Sequence, residues 1–301
     1  MIILAAIMQS FQSKILYTFL KISRYKKWWP KNEANLSLAR RIDKYSPPSS
    51  FYKQYKVDEK NAGLGKMYSL YPHHPKSSKH IFYIPGGGYV RGPLLQHWKY
   101  LDKLIQQTGF AVSMITYPKA PEHNFKDGYE CIWDACTEVL KTTKAEDIIF
   151  MGDSAGGALA IGLSLMLKEK QMMQPKQLIL LFPWIDASLN DPDIKKFENV
   201  EPMLDKKALQ KIALWYAAGE DLKNPLLSPL YADISGLAPI TIITGTYDIL
   251  WTDMWKFWDK AKARNLPVEF IEFDKMIHGF THTSLPEAKE AMKLVVKKIM
   301  Q

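Results

Sequence analysis

The sequence predicts an α/β fold in which a mostly parallel sheet is covered by helices on both faces. Three observations point there. Short apolar runs alternate with helical patterns from residue 51 onward, the order that builds strand–helix–strand units. The runs at 111–116, 147–151, 177–182, 240–245 and 268–273 are mostly Val/Ile/Leu/Phe/Met-rich with little alternation, as in strands buried on both faces. One of them runs straight through a Gly-x-Ser-x-Gly turn into a helical pattern.

The elements follow in order. Leu4, Ile7, Phe11, Ile15, Phe19 and Ile22 recur at spacings of three and four, one face of an amphipathic helix. Lys14 and Lys21 fall at an edge of that face, and Lys26-Lys27-Trp28-Trp29-Pro30 closes the stretch. Three roles use such a pattern: a helix packed over an active-site mouth, a helix lying in an anionic membrane interface, and a secretory leader. The leader is disfavoured because the first lysine follows the apolar run instead of preceding it. Pro47-Pro48-Ser49-Ser50 reads as a linker. Strands are expected at 51–57, 65–71 and 80–84 before the five buried ones. Helices are expected at 96–108, 127–142, 154–170, 249–264 and 285–300. The last opens with Ser284-Leu-Pro-Glu287, a capping-box pattern with proline near the first turn. Residues 186–236 interrupt the alternation. They carry Met203, Trp215, Tyr216 and several prolines, and read as an insertion between two strands.

Composition narrows the classes. With 301 residues, 47% apolar and 24% charged, the chain is neither disordered nor a disulfide scaffold. No run reaches the roughly 18–20 uncharged residues that span a bilayer. Cys131 and Cys136 read as helix-buried thiols, not metal ligands. Residues 1–60 hold twelve Lys/Arg against four acids, so this segment carries +8 of the chain's formal +9. A basic block meets nucleic acid or an anionic membrane. Nothing else resembles a nucleic-acid module, so no nucleic-acid partner is expected.

The chemical constellation begins at Gly152-Asp-Ser154-Ala-Gly156-Gly157, between an apolar strand and a helix start. So sharp a turn needs small residues two before and two after the serine, and it leaves the serine hydroxyl exposed. A hydroxyl is a weak nucleophile and needs a base with an orienting acid. The order in this motif class is Ser, acid, His. His278 follows the final strand, whereas His73, His74, His80, His97 and His123 precede the serine. His282 reads as a loop neighbour, and a His278/His282 zinc pair lacks a third ligand nearby. Asp248 stands at the end of strand 240–245. Asp186 is the competing acid, and Asp253 reads as a cap or a solvent-facing residue. Before these, Pro85-Gly86-Gly87-Gly88-Tyr89 follows a strand, and its backbone N–H groups can turn towards a developing oxyanion.

These residues resemble the hormone-sensitive-lipase-like branch of the α/β-hydrolase superfamily, the bacterial carboxylesterases with an HGGG loop. The resemblance spans roughly residues 65–300. It rests on Pro85-Gly-Gly-Gly88, Tyr117-Pro-Lys-Ala-Pro-Glu122-His123, the Ser154 turn, Leu181-Phe-Pro-Trp-Ile-Asp186, Ser228-Pro-Leu, Asp248 and His278-Gly-Phe280. It implies an α/β-hydrolase fold with an eight-stranded sheet in residues 51–301. It also implies a helical cap built from the basic segment 1–50 and the insertion near 186–236. It implies a Ser154–His278–Asp248 triad and oxyanion donors at Gly87, Gly88 and Ala155. Tyr89, Trp184, Met203, Trp215 and Tyr216 are the expected substrate-lining residues. The family's loop histidine is Pro85 here, which bears on how the loop is held. The implied reaction is hydrolysis of short- to medium-chain uncharged esters through an acyl-enzyme. An amidase or deacetylase with the same triad, and a non-catalytic binding protein on the same fold, are the alternatives. The expected partner is a small-molecule ester, with no metal or organic cofactor. Residues 1–30 are the candidate contact with anionic membrane. A cytoplasmic location is expected, and monomer and homodimer stay open.

Overall fold

The computed structural model describes residues 2–4, 9–30 and 32–301, without the side chains of 2–4, 33 and 34. Among them, nine strands form one sheet in the order β1-β9-β8-β7-β6-β4-β5-β3-β2. The strands are β1 (Ile2–Leu4), β2 (Lys56–Ala62), β3 (Gly65–Tyr71), β4 (His80–Ile84), β5 (Ala111–Thr116), β6 (Ile148–Asp153), β7 (Gln177–Leu181), β8 (Ile240–Tyr247) and β9 (Val268–Ile277). Only the β2–β3 and β3–β5 pairs are antiparallel; every other neighbour is parallel. β4 and β6 are buried at every residue, matching their continuous apolar runs. The eight expected strands are thus joined by a ninth at the β9 edge.

The helices are α1 (Phe11–Ile22), α2 (Glu33–Ala39), α3 (Phe51–Gln54), α4 (Leu95–Thr108), α5 (Phe125–Leu140), α6 (Ala155–Glu169), α7 (Ile194–Phe197), α8 (Lys206–Ala217), α9 (Trp251–Ala263) and α10 (Pro286–Met300). The five long helices expected after residue 95 form within two residues of the expected ends. Cys131 and Cys136 are free and buried on α5. α7 and α8 lie within the 186–236 insertion.

Four local expectations change. Residues 51–57 do not make one strand. Phe51 and Tyr55 sit four apart and pack edge-on at 5.6 Å, which a helical turn allows, so α3 precedes a strand that starts at Lys56. Leu4 belongs to β1 and pairs with Glu272, so the helix does not start there; Ile7 lies outside the described residues. The capping box at Ser284 does not form. Leu285 is the N-cap and makes no side-chain cap bond, because Glu287 is drawn to α1: it accepts from Ser10 N at 2.5 Å and Ser13 Oγ at 2.6 Å.

The fourth change concerns α1 itself. Leu20 and Ser13 face inward, and Leu16 and Tyr17 pack against the core. Phe11, Ile15, Phe19 and Ile22, the stripe that a helix packed over the site would bury and an interfacial helix would expose, point outward. The inward face wins because it carries the anchoring polar group: Ser13 reaches Glu287, and Tyr17 meets Tyr247 at 5.5 Å. The segment then crosses onto the insertion. Lys21 and Lys26 donate to the Asn199 and Glu198 carbonyls, and the indole N–H of Trp29 donates to the Met203 carbonyl at 2.7 Å. N-terminal segment and insertion therefore contact each other over the carboxyl ends of the strands, where open α/β sheets place their sites.

Candidate active site

Ser154 stands alone between β6 and α6, with φ 52° and ψ −121°. A positive φ on a residue with a β-carbon is strained backbone, and it lifts the side chain clear of the strand. The turn closes tightly. A β-carbon on Gly152 would lie 2.4 Å from the Gly156 carbonyl oxygen, and one on Gly156 would lie 2.0 Å from that of Ile84. Both positions therefore require glycine.

β8 and β9 bring the other two residues. Asp248 follows Tyr247 and His278 follows Ile277, each just past its strand. His278 Nε2 is 3.0 Å from Ser154 Oγ, and His278 Nδ1 is 2.7 Å from Asp248 Oδ2. Asp248 is fully buried, and its Oδ1 accepts the Leu250 N–H at 2.9 Å. Burial lowers the His278 pKa, but the Asp248 charge and hydrogen bond outweigh it and leave the imidazole above its ordinary 6.5. With its Nδ1 proton held by Asp248, neutral His278 presents an unprotonated Nε2 to the serine hydroxyl, the arrangement that activates a hydroxyl nucleophile.

Gly87 and Gly88 adopt φ 120° and 61°. Their amides, and that of Ala155 at the start of α6, have no acceptor among the described residues. The loop carrying them is pinned although Pro85 replaces the family histidine. Asp153 Oδ1 accepts the Gly86 N–H at 2.8 Å and the Tyr83 hydroxyl at 2.7 Å, while its Oδ2 faces His97 Nε2 at 3.3 Å. His97 Nδ1 accepts the Leu94 N–H at 2.9 Å, which leaves Nε2 to donate to Asp153. Burial raises the Asp153 pKa, but His97, His282 and Tyr83 outweigh it and keep the carboxylate ionised. The Tyr117 hydroxyl also holds the Pro85 carbonyl at 3.2 Å.

His97, Asp153 and His282 bring their ligand atoms within 4.8 Å of one another. Each already has a protein partner, with Tyr83 bonding His282 Nε2 at 3.0 Å. The arrangement reads as a hydrogen-bonded brace beneath the loop, and His282 belongs to it as more than a loop neighbour. The competing acid Asp186 binds Tyr231 and the Ser188 amide, away from His278. Asp253 is buried with neither oxygen partnered among the described residues, so it neither caps nor meets solvent. Burial first, then the nearby Asp186 charge, pushes its pKa up to about 8.

The cavity beside Ser154 measures about 130 Å³ and is walled by Trp29, Gly87, Phe182, Met203 and His278 among others. Of the five expected substrate-lining residues, only Met203 lines it. Tyr89 stacks on Tyr216 at 4.2 Å and meets Trp184 at 5.2 Å, so these three fill the core behind the loop instead. Trp215 is half-buried with Lys211 over its ring. Their positions in the insertion and motif drew them in, but mutual stacking buries more aromatic surface than a cleft wall does.

Several residues near the chemistry carry no spacing signal. Trp29 is seated on Gly88, where an added β-carbon would meet its ring at 2.7 Å. Phe182 packs edge-on against His278 at 4.7 Å. Glu201, from the insertion, is fully buried. Its Oε1 accepts the Met203 N–H at 2.5 Å and its Oε2 has no partner among the described residues. Burial first, then the Asp248 charge, raises its pKa to about 8, so it is neutral at pH 7.

The geometry agrees with comparisons to known proteins. Residues 81–282 match a family model described as an α/β-hydrolase fold. An esterase of Acinetobacter venetianus is 33% identical over 217 residues, covering 70% of this chain and 71% of its own. An acetyl-hydrolase of Streptomyces hygroscopicus is 29% identical over 217 residues, covering 71% and 73%. A solved hormone-sensitive lipase from a metagenome library superimposes with a TM-score of 0.84 at 26% identity, covering 97% of this chain and 99% of that one. The chain therefore belongs to the α/β-hydrolase family, in its hormone-sensitive-lipase-like branch. It is an esterase-type carboxylic ester hydrolase.

Proposed function

We propose that the protein hydrolyses short- to medium-chain uncharged esters through an acyl-enzyme on Ser154. The observation that carries this reading is the continuous chain Ser154 Oγ–His278–Asp248 at 3.0 and 2.7 Å. His278 takes the hydroxyl proton as Ser154 Oγ attacks the ester carbonyl. The Gly87, Gly88 and Ala155 amides receive the oxyanion, each such donor contributing roughly 10²–10³ in rate. The protonated imidazole, stabilised by Asp248, returns the proton to the departing alkoxide. Water then attacks the acyl-enzyme by the same path and releases the acid.

Acyl size follows from space. A cavity of about 130 Å³ is well below the roughly 300–1,000 Å³ that holds a drug-sized ligand, which favours a small acyl group. The relative named an acetyl-hydrolase is consistent with that size. The test is kcat/KM for p-nitrophenyl esters of increasing acyl length, run beside matched anilides. The reading predicts a maximum among short to medium esters and much slower amide turnover. A maximum on long-chain triglyceride emulsions overturns the chain-length reading, and faster amide cleavage transfers the site to an amidase.

A further inference from the structure

The outward face of α1 is unusual for a surface helix. Phe11, Ile15, Phe19 and Ile22 are 74%, 55%, 64% and 77% exposed. At 100° per residue they fall within about 80° of the helix circumference. The opposite face is fixed to the body through Leu20, the Ser13–Glu287 bond and the Tyr17–Tyr247 contact. The stripe is therefore held outward and cannot turn in without breaking that anchor. Lys14 borders it on one edge, where Lys21 is held by the Asn199 carbonyl, and Arg24, Lys27, Arg41 and Lys44 are exposed on the turns that follow. Trp28, Leu38 and Ile42 add further exposed apolar tips at 70%, 52% and 55%.

We propose that this N-terminal segment docks the enzyme onto an anionic lipid bilayer. The stripe would enter the boundary between headgroups and acyl chains, with the flanking cations on lipid phosphates. Charge selects this occupant over a second copy of the chain. Residues 1–60 carry +8 of the formal +9, and a two-fold interface through α1 would set two such segments against each other. An anionic surface instead complements both the apolar stripe and its cationic border. Among the described residues no helix is long and apolar enough to cross a membrane, so the contact is interfacial. It reaches the catalytic cleft through adjacent residues: Trp28 is exposed, while Trp29 and Tyr25 wall the cavity beside Ser154. An apolar groove of about 630 Å³, lined by Trp28, Leu38 and Ile42, shares Tyr25, Trp29 and Arg91 with that cavity.

The experiment is co-sedimentation of the full chain with phosphatidylcholine vesicles and with vesicles containing phosphatidylglycerol, at low salt and in molar salt. Two variants are compared, Phe11→Ser/Ile15→Ser/Phe19→Ser/Ile22→Ser and Lys14→Glu/Arg24→Glu/Lys27→Glu. All seven side chains are exposed, so thermal unfolding and hydrolysis of a soluble p-nitrophenyl ester are expected to match wild type. Wild type is expected to bind the anionic vesicles, more weakly in molar salt, and each variant to lose at least about ten-fold in partitioning. No binding by wild type, equal binding to neutral vesicles, or unchanged binding by the apolar variant overturns the proposal. So does a wild-type dimer that the apolar variant converts to monomer, which reassigns the stripe to self-association. Vesicle binding is read without turnover, so its outcome is separate from that of the esterase reading.

Discussion

Replacing Asp248 with asparagine keeps the side chain's shape and removes what the account needs from it. The carboxylate is fully buried, with Oδ2 at 2.7 Å from His278 Nδ1 and Oδ1 held by the Leu250 amide at 2.9 Å. With the asparagine carbonyl on the Leu250 N–H, its amide nitrogen faces His278 Nδ1 as a donor. That turns Nδ1 into the acceptor and moves the imidazole proton to Nε2, which points at Ser154. The base then cannot take the serine proton. In the related Ser-His-Asp setting the wrong tautomer costs about 10⁴ in kcat, or about 5.4 kcal/mol at 1.36 kcal/mol per decade. Asp248 is not among the walls of the cavity beside Ser154, so KM is expected to change little. The variant also loses the charge that raises the His278 pKa. The acid limb of its residual kcat/KM profile is expected at lower pH than that of wild type, whose imidazole Asp248 holds above its ordinary pKa. The assay is steady-state hydrolysis of a soluble p-nitrophenyl ester across pH 5–9. A loss below ten-fold, or a loss confined to KM, refutes the assignment of Asp248 as the orienting acid.

Other outcomes follow from the same geometry. His97→Ala removes a donor from the buried Asp153 carboxylate that holds the Gly86 amide. Loss of a hydrogen bond to a charged group costs about 1.5–3 kcal/mol, so a Tm drop of several degrees is expected, with a fall in kcat that exceeds any rise in KM; unchanged kcat removes His97 from the brace. Asp253 has a folded pKa raised to about 8, so its protonated form is favoured by folding and stability falls as pH rises from about 4 through 8. Asp253→Asn does not titrate and is expected to unfold at higher temperature than wild type by a margin that grows across that window; a constant margin contradicts the shift. Glu201, its pKa raised to about 8, carries no charge across the acid limb, so Glu201→Gln is expected to leave that limb where wild type has it; a limb moved to lower pH shows Glu201 ionised beside His278.

Much of the candidate site was legible because it sits where strands end. A strand buried on both faces is a continuous apolar run, and Ser154, Asp248 and His278 each follow one. The glycines around Ser154 are dictated by contacts close to 2 Å, so the turn leaves its mark in sequence. What lay outside spacing rules was tertiary. Periodicity marks an apolar face on α1 but not which way it points, and the Ser13–Glu287 bond spans 274 positions. That same bond takes Glu287 from its helix cap. His97 precedes the serine, so chain order sets it aside; only the fold shows it bonded to Asp153 and the Leu94 amide beneath the loop. Tyr89, Trp184 and Tyr216 have the character of cleft residues, and their stacking with one another removes them from the cleft.

The most direct measurement is the reaction of Ser154 itself. A fluorophosphonate incubated with the full chain should add one equivalent, located at Ser154 by mass spectrometry, and abolish ester turnover. Ser154→Ala should take no label and show no hydrolysis above buffer, and His278→Ala should label far more slowly. A wild-type chain that hydrolyses esters while Ser154 stays unlabelled, or a Ser154→Ala protein that keeps its turnover, contradicts a serine nucleophile driven by His278 and Asp248.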